Sequence, residues 1–89
     1  MQFEWDSRKA RDNERKHGVD FEEATDAFED DHSSTAVDPD HSVGEARYLL
    51  FGRTRSGRYL VVGFTERGDR IRLISARPMT RRERQAYES

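Results

Sequence analysis

Residues 59–76, YLVVGFTERGDRIRLISA, decide the fold of this chain. Two runs rich in β-branched and aromatic residues, 59–65 and 71–76, flank the polar turn Arg67-Gly68-Asp69. Runs of this composition around a short glycine-containing turn are typical of an antiparallel hairpin. The segment therefore predicts two neighbouring strands in the C-terminal half of the chain.

The side chains of the first of these strands alternate between a large and a small row. Leu60, Val62 and Phe64 form the more apolar row, which is expected to face a core of helices. The other row has less bulk, with Gly63 at its centre. Such a row suits either a shallow groove that a ligand enters or the relief of packing against a bulky neighbour. The sequence leaves both explanations open.

Further strands and a helix flank the hairpin. Residues 47–53 predict a preceding strand, joined by the turn 54–57, so that the sheet is an antiparallel meander. A short strand is also expected at 35–38. Residues 80–83, TRRE, form a capping box, which predicts a C-terminal helix to about residue 88.

The N-terminal half shows helical signals instead. A short strand at residues 3–5 precedes Asp6, which caps a polar helix at 7–17 that Gly18 ends. Apolar residues at helical spacing predict a second, amphipathic helix at 21–29. The fold class expected is α+β, with two N-terminal helices, an antiparallel meander sheet and one C-terminal helix.

Length and composition restrict the class of protein. Eighty-nine residues predict one domain spanning residues 1–89, and 33% hydrophobic against 38% charged residues give it a lean core. The chain has no cysteine, which excludes disulfides and cysteine nucleophiles. Neither an apolar run of membrane-spanning length nor a secretory signal is recognisable. A cytoplasmic protein is therefore expected.

Charge is divided unevenly between the two halves of the chain. Residues 1–45 carry a formal charge of −9 and residues 46–89 carry +7, and 14 of the 16 basic residues are arginine. Arginine forms forked contacts with phosphate and stacks on bases, so the second half is expected to bind an anionic partner. The alternative is that these arginines pair with the acidic first half of the same chain.

Motifs for metals and nucleophiles are weak. One acidic stretch resembles a calcium-binding loop, and it contains Asp38, Asp40, His41 and Glu45. However, Val43 and Leu49 occupy the positions where an EF-hand needs glycine and glutamate. No two histidines have zinc-helix spacing, and no phosphate-binding glycine loop is present. Ser42 or Ser75 would act as a nucleophile only beside a positioned base. No metal and no cofactor is expected.

His17 is the best candidate for proton transfer. It ends the first predicted helix, where the helix C-terminus stabilises positive charge, and histidine titrates near neutral pH. A histidine that only caps the helix and packs on Trp5 is the alternative. Together with a dense guanidinium surface, one such proton carrier is what RNA cleavage without a metal requires.

Blocks spread along the sequence resemble one family, the BrnT toxins. The blocks occur in order and cover nearly the whole chain: FEWD at 3–6, Asn13, KHGV at 16–19, FEEA at 21–24, DPDHS at 38–42, GEAR at 44–47, TERGDRIR at 65–72, ISAR at 74–77 and RRER at 81–84. The resemblance implies a fold like the RelE/ParE group and a ribonuclease that stops translation, the toxin half of a type II toxin–antitoxin system. It also implies a hetero-oligomer with a small BrnA-like antitoxin that has a DNA-binding half. RNA and the ribosome are further expected partners, and a membrane is not.

The site residues follow from the basic surface and from this resemblance. Arg53, Arg67 and Arg77 are expected to grip the scissile phosphate. Arg77 is foremost, because RelE-type toxins tend to place a basic or aromatic residue near the C-terminal end of the sheet. His17, and after it Glu45, is expected to move the proton, since arginine is too weak an acid. Supporting roles are assigned to Tyr87 as an accessory catalytic residue and to the RNA-binding residues Arg47, Arg70, Arg72 and Arg81.

Three other interpretations remain open. A non-catalytic RNA- or ribosome-binding module would need aromatic stacking platforms among its basic residues, and few aromatics are available for this. A gyrase-directed toxin of the ParE type on the same fold would leave RNA intact. A small interaction subunit would use its basic face only to bind an acidic protein. Cleavage of a synthetic RNA in EDTA would exclude all three.

Overall fold

A computed structural model describes residues 1–40 and 44–89 of the chain. His41, Ser42 and Val43, part of the stretch considered for metal binding and nucleophilic attack, lie outside the described residues. The elements are β1 (Gln2–Glu4), α1 (Ser7–His17), α2 (Phe21–Thr25), β2 (Ser34–Val37), β3 (Tyr48–Arg53), β4 (Tyr59–Arg67), β5 (Arg70–Pro78) and α3 (Arg81–Glu88). In this described part, no helix has the length and apolar character needed to cross a membrane.

The sheet is mixed, with strand order β1-β5-β4-β3-β2. Strands β2 to β5 form the predicted antiparallel meander, and the α+β class is confirmed. β1, however, pairs in parallel with β5, with Phe3 opposite Ile71, so the expectation of a purely antiparallel sheet is wrong at this edge. A three-residue strand carries no hairpin signal, and its partner stands near the other end of the chain. Only tertiary packing decides this pairing.

The strands keep their predicted places with shifted ends. β1 and β2 each begin one residue before the predicted 3–5 and 35–38, and β3 begins at Tyr48 rather than at Arg47. β4 and β5 are longer than predicted because they continue up to a two-residue turn. Gly68 takes a left-handed conformation there, with φ of 63°, which suits a tight hairpin.

The second predicted helix divides in two. The segment at 21–29 is α-helical only to Thr25 and continues as the 3₁₀ turn Asp26–Glu29. The Thr25 hydroxyl donates to the carbonyl oxygen of Glu22 at 2.7 Å, a local bond that competes with the helical ladder. The turn then leads the chain directly towards β2.

The core lies between one face of the sheet and the segments α1, α2 and the 3₁₀ turn. The row Leu60, Val62 and Phe64 is buried there as predicted. The 3₁₀ turn packs directly against the sheet at Gly52. A Cβ added there would lie 2.7 Å from the carbonyl oxygen of Ala27. The buried apolar cluster comprises Val19, Phe21, Ala24, Ala27, Leu50, Leu60, Val62, Phe64, Leu73 and Ala76.

Asn13 is a buried polar residue that fastens α1 to the sheet. Its amide nitrogen donates to the carbonyl oxygens of Val19 at 3.0 Å and Ala76 at 2.8 Å, and its Oδ1 accepts from the Ala76 N–H at 2.9 Å. β1 ends opposite Arg72, so further along β5 the edge has no strand beside it. The Asn13 amide supplies the two missing edge bonds at Ala76, as a neighbouring strand would.

Candidate active site

A β-bulge interrupts the sheet near the middle of β5. Gly63 lies opposite Ser75 and Phe64 opposite Leu73, which leaves Ile74 as the extra residue. An added Cβ on Gly63 would lie 2.6 Å from the Ser75 hydroxyl oxygen. The nearest neighbour of this position is therefore a small hydroxyl group and not a bulky side chain. Bulges re-aim side chains and are frequent beside active sites.

An open groove of about 730 Å³ runs between α1 and this bulge. Its walls come from the outer face of the helix and from two residues of β5: Lys9, Asp12, Asn13, Arg15, Lys16, His17, Ile74 and Ser75. We call it the α1 groove. No ion pair engages Lys9 or Lys16 within residues 1–40 and 44–89. Both ammonium groups are thus available to an anionic ligand.

A second groove, of about 250 Å³, continues onto the face of the sheet opposite the core. It shares Ile74 and Ser75 with the α1 groove, so the two meet at the bulge. Gly63 lies in its wall, which supports the groove explanation for the row of small residues. The remaining residues of its wall are Asp38, Arg47, Tyr48 and Phe64.

His17 stands where α1 ends, as predicted. Gly18 follows in the left-handed conformation, with φ of 69°, and its N–H closes the helix on the Glu14 carbonyl oxygen. The last turn of α1 is wholly basic, since Arg15 and Lys16 precede His17. Trp5, the alternative packing partner considered for His17, stacks edge-on against Phe21 with ring centroids 5.9 Å apart.

Arg77 is half-buried on the face of the sheet opposite the core and holds the start of α3. Its Nη1 and Nη2 donate to the two carboxylate oxygens of Glu83 at 2.8 and 2.9 Å. The same carboxylate accepts from the Thr80 N–H, completing the predicted capping box. Chiefly because of the Arg77 hydrogen bonds, the pKa of Glu83 falls from 4.5 to about 2. Arg77 is therefore already paired before any RNA binds.

Tyr87 and Arg53 meet at the same end of the sheet around Asp30. The Tyr87 hydroxyl and the Arg53 backbone N–H both donate to the Asp30 carboxylate. Burial, together with this carboxylate, raises the pKa of Tyr87 to about 12. The phenol is thus neutral at physiological pH, and its one O–H proton is already donated to Asp30. The guanidinium of Arg53 lies over the ring of Tyr59, 5.5 Å from its centroid.

The three arginines predicted to grip one phosphate do not come together. Arg77 lies opposite Val61 on β4, and Arg53 lies opposite Tyr59, so these two lie at the same end of the sheet on either side of β4. Arg67 stands at the far end of β4, six residues or about 20 Å from Val61. A grip by all three on one phosphate is therefore wrong, because the hairpin turn that Arg67 enters points away from the other two.

The far end of the sheet instead gathers several predicted residues into ion pairs. Arg67 contacts Glu45 at 3.4 Å, while Arg70 and Arg72 contact Glu4 at 3.6 and 2.9 Å. Arg72 is the main reason that the pKa of Glu4 is lowered. None of these four predicted residues lines the α1 groove.

Pairing with the acidic half of the chain, the alternative raised from composition, accounts for part of the arginine set. Besides the pairs at the far end, Arg55 contacts Asp26 at 2.7 Å and Arg58 contacts Glu23 at 2.9 Å. Arg81 is exposed in the first turn of α3, three residues after β5 ends. Some of the arginines are thus paired with carboxylates of the same chain, and others line a groove or are exposed.

Sequence reasoning missed the basic residues of α1 that line the groove. Lys9, Asn13 and Lys16 follow the spacing i, i+4, i+7, which places them on one face of a helix. That spacing was the signal in the sequence that could have identified these residues. It is formed by polar residues, whereas helical spacing is usually sought among apolar ones. In the described part of the chain, no group of three or more His, Asp or Glu side chains is placed to hold a metal ion.

Fold and grooves together define a class of protein. A small α+β chain gathers ammonium and guanidinium groups around a groove that ends at a histidine, an arrangement suited to phosphodiester ligands and proton transfer. Residues 5–83 match the family model described as "Ribonuclease toxin, BrnT, of type II toxin-antitoxin system". The chain belongs to this BrnT family of ribonuclease toxins, as the sequence blocks predicted, and its partner in such a system is an antitoxin.

A solved structure shares the fold. The crystal structure at 1.1 Å resolution of the Brucella abortus ribonuclease toxin, BrnT, is similar to this chain with a TM-score of 0.67 and 25% sequence identity. The similarity covers 91% of this chain and 99% of that chain. None of the curated proteins compared with this chain matches it significantly.

Proposed function

We propose that the chain is a metal-independent endoribonuclease whose active site lies where the two grooves meet at the β5 bulge. The observation that carries this proposal is the α1 groove itself, which is lined by His17, Lys9 and Lys16 of α1 and by Ser75 of β5. A proton carrier and phosphate-binding cations then stand at the same surface. The far end of the sheet offers paired charges instead.

The reaction proposed is attack by the neighbouring 2′-hydroxyl group of RNA. The 2′-oxygen bonds to phosphorus as its proton passes to His17, and the bond from phosphorus to the 5′-oxygen breaks. Solvent supplies a proton to the leaving 5′-oxygen, so the products are a 2′,3′-cyclic phosphate and a 5′-hydroxyl. Lys9 and Lys16 stabilise the additional negative charge that develops on the phosphate in the transition state.

Arg77, Arg53 and Tyr87 are proposed as the continuation of this site. Arg77 lies two residues beyond Ser75 on the same face of β5, about 7 Å away. Arg53 and the neutral Tyr87 phenol lie at the adjacent end of the sheet and would contact the next nucleotides. Of the two candidates for proton transfer, His17 is favoured over Glu45, because Glu45 is ion-paired with Arg67 at the far end.

RNA-binding roles are proposed for two further arginines, the half-buried Arg47 and the exposed Arg81. Arg47 lines the second groove, and Arg81 lies in the first turn of α3. Arg67, Arg70 and Arg72 would serve only as peripheral contacts for a longer RNA, since each has an internal carboxylate partner.

The family supports several finer proposals. Residues 1–89 would fold as a single toxin domain of the RelE/ParE type that acts in the cytoplasm, with RNA on the ribosome as its target. Its antitoxin would be a small BrnA-like protein with a DNA-binding half, in a hetero-oligomer. The ribonuclease description of the family favours this function over a non-catalytic RNA-binding module, a small interaction subunit and a gyrase-directed toxin.

The test uses a synthetic RNA in EDTA with the His17→Ala variant and the matched His32→Ala control. His32 lies outside both grooves, in the loop before β2. We expect His17→Ala to lose about 100-fold or more in rate and the optimum near neutral pH, whereas His32→Ala keeps both. An RNA with a 2′-deoxy sugar at the cleaved position should stay intact.

Binding of this RNA to His17→Ala should also weaken as salt rises, by about 0.7 in log–log slope for each phosphate contacted. An unchanged pH–rate profile in His17→Ala would assign the proton transfer to another group of this chain, with Glu45 as the next candidate. Cleavage that disappears in EDTA and returns with a metal would contradict metal independence.

A further inference from the structure

The strand β2 forms an open edge of the sheet. Within residues 1–40 and 44–89 it is the last strand in the order and pairs only with β3, and all four of its residues, Ser34 to Val37, are exposed. Val37 is a large apolar side chain with 59% of its surface exposed. An open strand edge is a template on which another chain can add a strand.

The register identifies which backbone groups this edge presents. The Asp38 N–H donates to the Arg47 carbonyl oxygen at 2.8 Å, so Asp38 and Arg47 form a hydrogen-bonded pair. Such pairs recur every second residue in an antiparallel ladder, which places the bonded pairs at Ala36 and Ser34. The N–H and C=O groups of Thr35 and Val37 therefore point outward, away from β3.

Three common means of protecting an edge strand are not found within β2 itself. Charged residues, proline and bulges protect many edges, whereas residues 34–37 read Ser-Thr-Ala-Val and pair with β3 in continuous register. Acidic residues stand instead at both ends of the strand, with Asp31 before it and Asp38 and Asp40 after it. A strand that fits this edge would be neutral in its middle and basic at its ends.

We propose that an extended segment of the antitoxin adds to this edge as a sixth strand, with basic residues at its ends. The proposal rests on the toxin–antitoxin assignment of the family. A second copy of this chain is a poorer occupant, because antiparallel pairing of two β2 strands would bring Asp31 of one copy beside Asp38 and Asp40 of the other. Like charges placed side by side on a sheet are destabilising.

Amide hydrogen exchange on the purified toxin–antitoxin complex tests the proposal within one molecule. The amides of Ser34 and Ala36 are protected by β3 in any state and serve as internal controls. We expect the outward amides of Thr35 and Val37 to be protected as well in the complex. Rapid exchange at both of these positions, beside protected controls, would overturn the proposal.

Two variants at one position separate backbone pairing from side-chain contact. Thr35→Pro removes an outward N–H that β3 does not use, and Thr35→Val keeps it. We expect Thr35→Pro to speed dissociation of the complex about tenfold, the effect of one lost hydrogen bond of about 1.4 kcal/mol, and Thr35→Val to leave the rate unchanged. Equal rates for both would refute strand addition.

Two further results have distinct meanings. If the outward amides become protected in the antitoxin-free chain as its concentration rises, and sedimentation shows a dimer, the edge belongs to a second copy and the antitoxin assignment is refuted. If no stable complex with the antitoxin forms at all, the partner assignment itself fails, whatever the edge does.

Discussion

Replacing Asn13 with leucine removes three hydrogen bonds while nearly conserving the volume of the side chain. The N–H of Ala76 and the carbonyl oxygens of Ala76 and Val19 lose their partners in a site where Asn13 is only 7% exposed. Each buried group left without a partner costs about 1–3 kcal/mol. With some access of water to the site, we expect a loss of roughly 3–6 kcal/mol in the free energy of unfolding.

That loss is large for a chain of this size. At about 0.05–0.15 kcal/mol per residue, the whole protein has an unfolding free energy of roughly 4–13 kcal/mol. Urea unfolding followed by the fluorescence of Trp5, the one tryptophan in the chain, measures the difference. Arg11→Ala, on an exposed position of the same helix, is the control and should stay within about 0.5 kcal/mol of the wild type.

A loss below about 1 kcal/mol for Asn13→Leu would refute the view that this amide completes the β5 edge. Asn13→Asp sharpens the test. It keeps an acceptor for the Ala76 N–H but turns a carboxylate towards two carbonyl oxygens, so it should be nearly as destabilising at neutral pH. His17 stands one helical turn further along α1, and both variants should therefore also lower the cleavage rate.

Two more predictions concern α3 and the closest approach between helix and sheet. The pKa of Glu83 is lowered to about 2, so its bond to Arg77 is fully present above pH 4.5 and is lost as the pH falls towards 2. Arg77 is 37% exposed, so solvent screens its interaction with Glu83, and Glu83→Gln should lower the free energy of unfolding at pH 7 by about 1–2 kcal/mol. Urea unfolding should also show that stability falls less steeply at acid pH in this variant than in the wild type. The control Glu88→Gln should keep the wild-type dependence on pH. An unchanged dependence on pH in Glu83→Gln would contradict this prediction. Gly52→Ala should lower the unfolding free energy by about 1–3 kcal/mol, because the new methyl group meets the backbone of Ala27; thermal unfolding at or above the wild-type temperature would disprove that clash.

Local signals in the sequence were enough for most of the secondary structure. The hairpin at 59–76 and the capping box at 80–83 lie in short stretches whose turn and cap residues act on their immediate neighbours, so the meander and α3 could be predicted. The parallel pairing of β1 could not, because it depends on residues at opposite ends of the chain. The change at Thr25 from α-helix to 3₁₀ turn depends on a side-chain bond that composition does not reveal.

The site was predicted less completely than the fold. His17 could be placed at a helix end because Gly18 signals that end. The distance of Arg67 from Arg77 depends on strand length and register, which the sequence did not define closely enough. Ile74 gave no warning of the bulge, since an extra residue in a strand becomes visible only against its partner.

The pairing of β1 with β5 has a consequence for synthesis on the ribosome. β1 has no partner strand until residues 70–72 have been made, and α1 is not fastened until Ala76 follows. β1 and α1, which lie in the acidic first half of the chain with its charge of −9, therefore stay without these partners while the meander is translated. The α1 groove therefore forms only after residues 70–76 have been made, and a chain released before that point lacks the proposed active site.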